Sequence, residues 1–564
     1  MGMVDFMRLT SKQKLLIVIA PLVSLFTWWQ GVDPVNLPKM VILGFSVIFL
    51  APGILINQRK LLSGDFKIPL LIVFIFILSL LIPFVFSSAP RVQQFYGVSA
   101  RHTGLLTSAL LAIVALGFFS LNKYTVFKYF TFGLLISGSV NAFLSIFQVI
   151  NKELLPFNNI YGTILGTFGN PNFVAAFLGL SCAVSFSYLF AQPTKIFSVL
   201  INVSYLSLCL FLIIESNAKQ GLIVYFVMGF GSLAIKLLYT QKKLFIKLLL
   251  FTTGLAGLVL AGFGSLGHGP LGNLLYKTSV GLRGQYWNAG IEMFKSHPFT
   301  GVGLNSYGDW YREFRDAKVL DLSGIDTVTN ASHNVYIDYA ATGGIVLLAS
   351  YVSLNAYVLF AIIRCQIRVG RFDPVFSSLV LAWLGYQVQS LVSIDQIGLS
   401  VWGWALAGAI IGFYKSLSAS KNFEEYISYG SDKKMLLIRE NKLYLSRILT
   451  LITSIVLVPV VSAPLQRDVE WARTLEKATV QGVITASKKF PIDESRMIQA
   501  ASILANNGFS KESLDLSIEA TKFKERSYFA WRFIYENSNS TSNQKAAAKA
   551  RITGLDPLSS SQDK

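Results

Sequence analysis

One of the chain's four histidines stands where an imidazole can work as a base. His333 follows Ser332 in ASHNVYIDYAATGG, directly ahead of an apolar run that continues to about residue 363. With Ser332 as N-cap, His333 falls in the first turn of a membrane helix. Exposed amides and the positive end of the helix dipole there favour anions and disfavour imidazolium. A neutral imidazole near physiological pH can accept a proton. Two cations are expected beside it, Arg283 in RGQYWNAG and Lys219 in ESNAKQGL. Arginine holds phosphate oxygens bidentately and lysine holds them as a point charge. Fixed cations with an unprotonated base suit attack by a hydroxyl on a sugar whose leaving group is a diphosphate.

Other polar residues gather at the same kind of position, on or beside segments expected outside the membrane. Arg101 lies in GVSARHTGLL, Asn170 and Asn172 in GTFGNPNFVAAF, Asn334 next to His333, and Asp395 just after an apolar run. Charges held at a membrane boundary are costly unless paired or used, so their convergence suggests one outward-facing polar site. Each also has a plainer explanation. Arg101 can snorkel to head groups, Glu215 and Lys219 are four apart and can form a helical ion pair, and Asp395 can be an ordinary loop carboxylate. His268 and His297 sit in the turn-like contexts GHGP and SHPF and are read as structural. Asp-x-Asp pairs, His/Cys clusters and P-loops do not occur, so no metal and no cofactor are expected.

The elements that must position these residues follow from composition. The 564 residues are 53% hydrophobic and only 14% charged, with a mean hydropathy of +0.53. Soluble domains carry roughly 25% charged residues, which points away from an ordinary cytosolic enzyme. The expected fold is all-α: a polytopic membrane bundle of about 12–13 transmembrane helices. Apolar runs long enough to cross a core roughly 30 Å thick fall near 15–30, 40–56, 68–87, 104–121, 129–149, 173–191, 197–214, 221–239, 247–265, 335–363, 375–393, 398–414 and 446–463. The net charge of +19 sits largely in short loops, a topology signal rather than a nucleic-acid footprint. With a cytoplasmic N-terminus, inside loops hold 23 Lys+Arg against 11 in outside loops before residue 465. That bias satisfies the positive-inside rule. The three cysteines are read as packing residues.

Two extramembrane regions are expected, the first of them outside, while the side of the second depends on the span 446–463. The loop 266–333 carries Tyr286, Trp287, Met293, Phe294, Leu304, Tyr307, Trp310, Tyr311 and Phe314 at helical spacing, as amphipathic helices roofing a cavity would. Residues 1–464 thus form the membrane domain and 465–564 a soluble helical domain. Within the latter, MIQAASILANNGFSKESLDLSIEATKF reads as paired helices joined at an Asn-Gly turn. It resembles a tetratricopeptide-type hairpin.

The run RGQYWNAGIEMFKSHPFTGVGLNSY, followed by SHNVYIDYAATGGIVLLASY and preceded upstream by GTFGNPNFVAAF, resembles the core of the O-antigen ligase/O-antigen polymerase family over roughly residues 90–415. The resemblance implies a bacterial inner-membrane glycosyltransferase. Such an enzyme moves a glycan from an undecaprenyl-diphosphate carrier to a glycolipid, glycan or protein acceptor at the periplasmic face, with inversion and without a metal ion. It implies that His333 activates the acceptor hydroxyl and that Arg283 contacts the diphosphate. Lys219, in A-K-Q-G, stands where the family usually has Arg in S-R-G. Arg101 is matched to a donor-binding position, and Asn172, Asn334 and Asp395 to the site lining. The competing expectation is a transporter or flippase of lipid-linked saccharides. That reading would place charges along a midplane path, often between related halves.

Overall fold

The computed structural model describes residues 6–558 apart from Arg8, 57–66, 157–158, 192–194, 240–251, scattered positions between 255 and 277, Ile325, 430–439 and Ala478. Every element among the described residues is a helix. Among the described residues nine helices are long and apolar enough to cross a membrane: Asn36–Ile56, Lys67–Phe86, Tyr124–Val149, Pro171–Leu189, Ile196–Glu215, Lys219–Leu238, Val335–Val369, Ile397–Ser418 and Tyr444–Lys477. The chain is therefore a polytopic helical membrane protein. Three shorter helices, Ser11–Leu25, Leu105–Phe119 and Pro374–Ser390, occupy further expected spans at 15, 15 and 17 residues. At 1.5 Å per residue the longest of them covers about 25 Å. The expected span 247–265 lies largely outside the described residues, as does His268.

Burial sorts the helices by position. In Ile397–Ser418 the apolar window is 94% buried, whereas in Ile196–Glu215 it is 22% and in the last helix 11%. A helix apolar on all sides belongs either at the centre of the bundle or against lipid, and these three illustrate both. Trp402 and Trp404 fill the centre and pack against Phe130 and Phe76. The three cysteines are free and buried. Lys39 is fully buried in Asn36–Ile56, with Nζ donating to the carbonyls of Phe26 at 2.7 Å and Thr167 at 2.8 Å. It fastens the first helical hairpin to the loop ahead of Pro171.

Alternate loops meet at opposite ends of the bundle. At one end Asp33 meets His102 at 3.4 Å, and Gln396 Nε2 donates to Asn36 Oδ1 at 2.7 Å. The Asn334 amide there donates to the Leu391 carbonyl at 3.0 Å. At the other end Tyr124 donates to Asp373 at 2.7 Å and Arg371 pairs with Glu424 at 2.8 Å. All the expected site residues lie at the first end.

The large loop folds into helices Thr278–Ser296, Tyr307–Phe314 and Lys318–Ser323. Their apolar faces form a small core of Leu282, Tyr286, Met293, Tyr307 and Tyr311 that closes on Ala341 of the long helix. The last helix continues as one element from Glu440 to Lys477, so the expected boundary at 464–465 falls inside it. Val461 belongs to the membrane core and Trp471 to a second core with Met497, Leu504 and Leu516. Helices Glu494–Asn506 and Ser510–Phe523 are joined through Asn507 and Gly508, and Tyr528–Glu536 and Ser542–Leu555 follow. This helical domain packs onto the large loop.

Candidate active site

The site grows out of a break in the helix Val335–Val369. Gly344 has φ +76 inside that helix, a conformation that an L side chain adopts only under strain. The break frees the carbonyls of Ala341 and Thr342, which accept from Val302 N at 2.8 Å and Gly303 N at 3.2 Å. Ile345 N donates in turn to the Pro298 carbonyl at 2.8 Å. A Cβ on Gly344 would lie 2.3 Å from the Phe299 carbonyl oxygen. The Gly-Val-Gly turn and the Gly-Gly pair are thus two halves of one joint between the large loop and the membrane helix.

At the start of this helix the structure corrects an expectation. The N-cap is Asn334 rather than Ser332: its side chain accepts from Tyr336 N at 3.0 Å and Ile337 N at 3.2 Å. Ser332 cannot serve because its hydroxyl is turned to Asn334, donating to the carbonyl at 2.8 Å and accepting from the amide at 3.2 Å. His333 therefore precedes the helix, at φ +59. Its ring lies beside Tyr286, with centroids 5.5 Å apart. Asn334 acts as a cap.

His333 is acted on by Arg101 and Arg283. Burial first, then the field of Arg101 and of Arg283, lowers its pKa to about 3. The imidazole is consequently neutral across the physiological range. Burial lowers both arginines to about 10, which leaves them cationic. Among the described residues neither forms an ion pair. Arg283 Nη2 reaches Gln220 Oε1 at 3.5 Å, and its buried Nε has no hydrogen-bond partner. Asp338 lends Arg101 a counter-charge at a distance, and two guanidiniums without an ion-pair contact beside a neutral imidazole can hold an anion.

The remaining expected residues are distributed around this centre. Gln220 also donates to the Asn172 carbonyl at 2.6 Å, so Asn172 joins the site through its backbone. Lys219 opens the helix Lys219–Leu238 one residue before Gln220 and is half-buried. Glu215 ends the preceding helix, so the two are not on one helical face and form no helical pair. Asp395 lines a small cavity of about 60 Å³ with Arg101 and Asp338. Burial raises its pKa to about 6, offset in part by hydrogen bonds from Ser400 and Tyr386. His297 is held by the Ser296 hydroxyl at 2.7 Å and packs on Trp310.

Two residues of the site were missed in the sequence. Gln220, an amide in the A-K-Q-G run, is the partner of Arg283. Asp338, one turn into the long helix, accepts from Ser332 N at 2.7 Å and faces Arg101 across the small cavity. An acid one turn after the cap was its available signal.

A second cavity of about 910 Å³ opens over the centre. Arg101, Asn330 and His333 line one side of it, and Glu494, Gln499 and Phe529 of the C-terminal domain line the other. Base and guanidiniums are thus held largely by the loop, the joint and the helix cap. Residues 204–352 match the family model described as O-Antigen ligase. Over these residues the chain is similar to that family. The match takes in Lys219, Gln220, Arg283, His333 and Asp338, whereas Arg101, Asn172 and Asp395 lie outside it. No curated protein matches the chain. The similarity points to a membrane enzyme of surface-polysaccharide biosynthesis that transfers glycosyl groups.

Proposed function

We propose that this O-antigen ligase-type enzyme transfers a glycan from an undecaprenyl-diphosphate carrier to an acceptor hydroxyl. The site would lie at the outer face of a bacterial cytoplasmic membrane. The observation that carries this reading is the convergence of a neutral His333 with Arg101 and Arg283, neither of them in an ion-pair contact among the described residues, at one end of the bundle. The guanidiniums hold the donor diphosphate, and Lys219, beside the Arg283 partner Gln220, adds a third cation. Asn172 and Asp395 border the same site. The acceptor oxygen attacks the anomeric carbon from the face opposite the diphosphate, with inversion. The C–O bond to the new glycan forms as the bond to the diphosphate breaks. The bonding pair leaves on the diphosphate oxygen, and the hydroxyl proton passes to His333. The leaving charge is taken by the guanidiniums, without a metal ion.

Arrival of the donor changes the base. The field of Arg101 and Arg283 that helps to depress His333 is offset by the diphosphate charge, so the imidazole becomes more basic once the donor is seated. The outward orientation is supported by the Lys+Arg bias of the loops at the opposite end. Transfer by detergent-purified protein from a polyprenyl-diphosphate-linked glycan distinguishes this function from a flippase. Transferase activity releases polyprenyl diphosphate and forms a new glycosidic bond without any compartment. A flippase gives no turnover under those conditions.

A further inference from the structure

We propose that the C-terminal helical domain is the far wall of the acceptor chamber and takes an uncharged, polyhydroxylated glycan there. The inference rests on the transferase reading of His333 and names the substrate class that reaches it. The cavity over His333 has Arg101 and Asn330 on its membrane side and Gln499, Ser502, Phe529 and Phe533 on its far side. Its volume of about 910 Å³ suits a ligand of oligosaccharide dimensions.

The domain is held in place by buried charge. Asp556 is fully buried and accepts from Arg312 at 2.9 Å and Arg315 at 2.8 Å. Lys524 bridges Asp309 of the loop and Glu494 of the domain at 2.6 Å each. Arg526 pairs with Glu313 and lies 3.4 Å over the Trp310 ring. Ion pairs out of water hold a fixed geometry, so the chamber wall is rigid rather than a swinging lid.

Those same pairs decide the chemistry of the occupant. The charges lining the wall, Arg312, Lys524, Arg526, Asp309 and Glu494, are all engaged with one another or with Asp556 and Glu313. Arg101 and His333 on the membrane side serve the donor and the transfer step under that reading, and what remains for the acceptor is neutral: the hydroxyl of Ser502, the Asn330 side chain and the aromatic rings of Phe529 and Phe533. Phe529 is 43% exposed. Aromatic faces flanked by neutral hydrogen-bonding groups suit the apolar faces and hydroxyls of sugar rings. An acyl chain would leave those polar groups unsatisfied, and an anionic acceptor would find no free cation on this wall.

The test places a photo-crosslinking amino acid at position 529 of the full chain in native membranes and identifies the adduct by mass spectrometry. The expected adduct is a glycan lacking polyprenyl diphosphate, and it persists when His333→Ala is added to the chain. In vesicle-reconstituted enzyme Phe529→Ala should lower transfer at limiting acceptor roughly three- to tenfold and leave donor KM unchanged. A solely polypeptide or phospholipid adduct, a glycan still joined to diphosphate, or no adduct overturns the proposal. Undiminished transfer by His333→Ala would instead remove the catalytic reading on which it rests, whatever is captured at 529.

Discussion

At the level of single residues, the proposed chemistry depends on how far the surroundings of His333 depress its basicity. In the empty site burial and two guanidiniums hold it at about 3, and a bound diphosphate returns it towards the ordinary value of roughly 6.5. Protonation silences a base, so activity is lost as pH falls through the pKa of whichever form is present. The acid limb of kcat/KM for donor reports the donor-free enzyme and that of kcat the complex. The account predicts that the kcat limb lies at the higher pH. Asp395, raised to about 6 by burial, titrates nearby, so the separation should persist in Asp395→Asn. Coincident limbs in pH–rate profiles would contradict the prediction. The candidates His333, Arg283 and Arg101 were legible because ionisable groups at a membrane boundary are few. Gln220 was not, because a neutral amide carries no such signal. Ser332 and Asn334 are comparable N-caps by type, and only the turn that engages the Ser332 hydroxyl decides between them.

At the level of elements, the joint between the Gly-Val-Gly turn and the Gly343–Gly344 break positions both the large loop and the cap beside His333. Gly344→Ala places a Cβ against the Phe299 carbonyl at a left-handed backbone position. It should destabilise the protein by about 1–3 kcal/mol and lower transfer by separating Arg283 from His333. The midpoint of thermal unfolding and the transfer rate of the purified variant check this together. A variant with both values unchanged would show that the joint is not strained by a side chain. Hydropathy located most spans, because a run of about 20 apolar residues has few other uses. It did not disclose the break, since the apolar pattern of Val335–Val369 runs through Gly344 without interruption. The expected spans 15–30 and 104–121 likewise run past the ends of Ser11–Leu25 and Leu105–Phe119, because apolar loop residues next to a helix extend the run.

At the level of the whole molecule, the C-terminal domain is seated by contacts between residues more than two hundred positions apart. The pairing of Asp556 with Arg312 and Arg315 was invisible to local pattern, as many opposite charges are available and sequence does not say which meet. The helical hairpin at 494–523 was legible from its periodicity and Asn-Gly turn. Asp556→Asn would leave two buried guanidiniums without their counter-charge and should weaken docking by about 3–5 kcal/mol. Limited proteolysis should then release the domain faster than from the unaltered protein, and unchanged protection would contradict the role given to this cluster.

Base, cations and fold come together in the rate of glycan transfer by His333→Ala, measured on purified protein with a polyprenyl-diphosphate-linked donor and with donor binding followed in parallel. The account predicts a fall of about 10²–10⁴-fold in rate with donor affinity retained through Arg101 and Arg283. A variant that transfers glycan within a few-fold of the unaltered enzyme would contradict it.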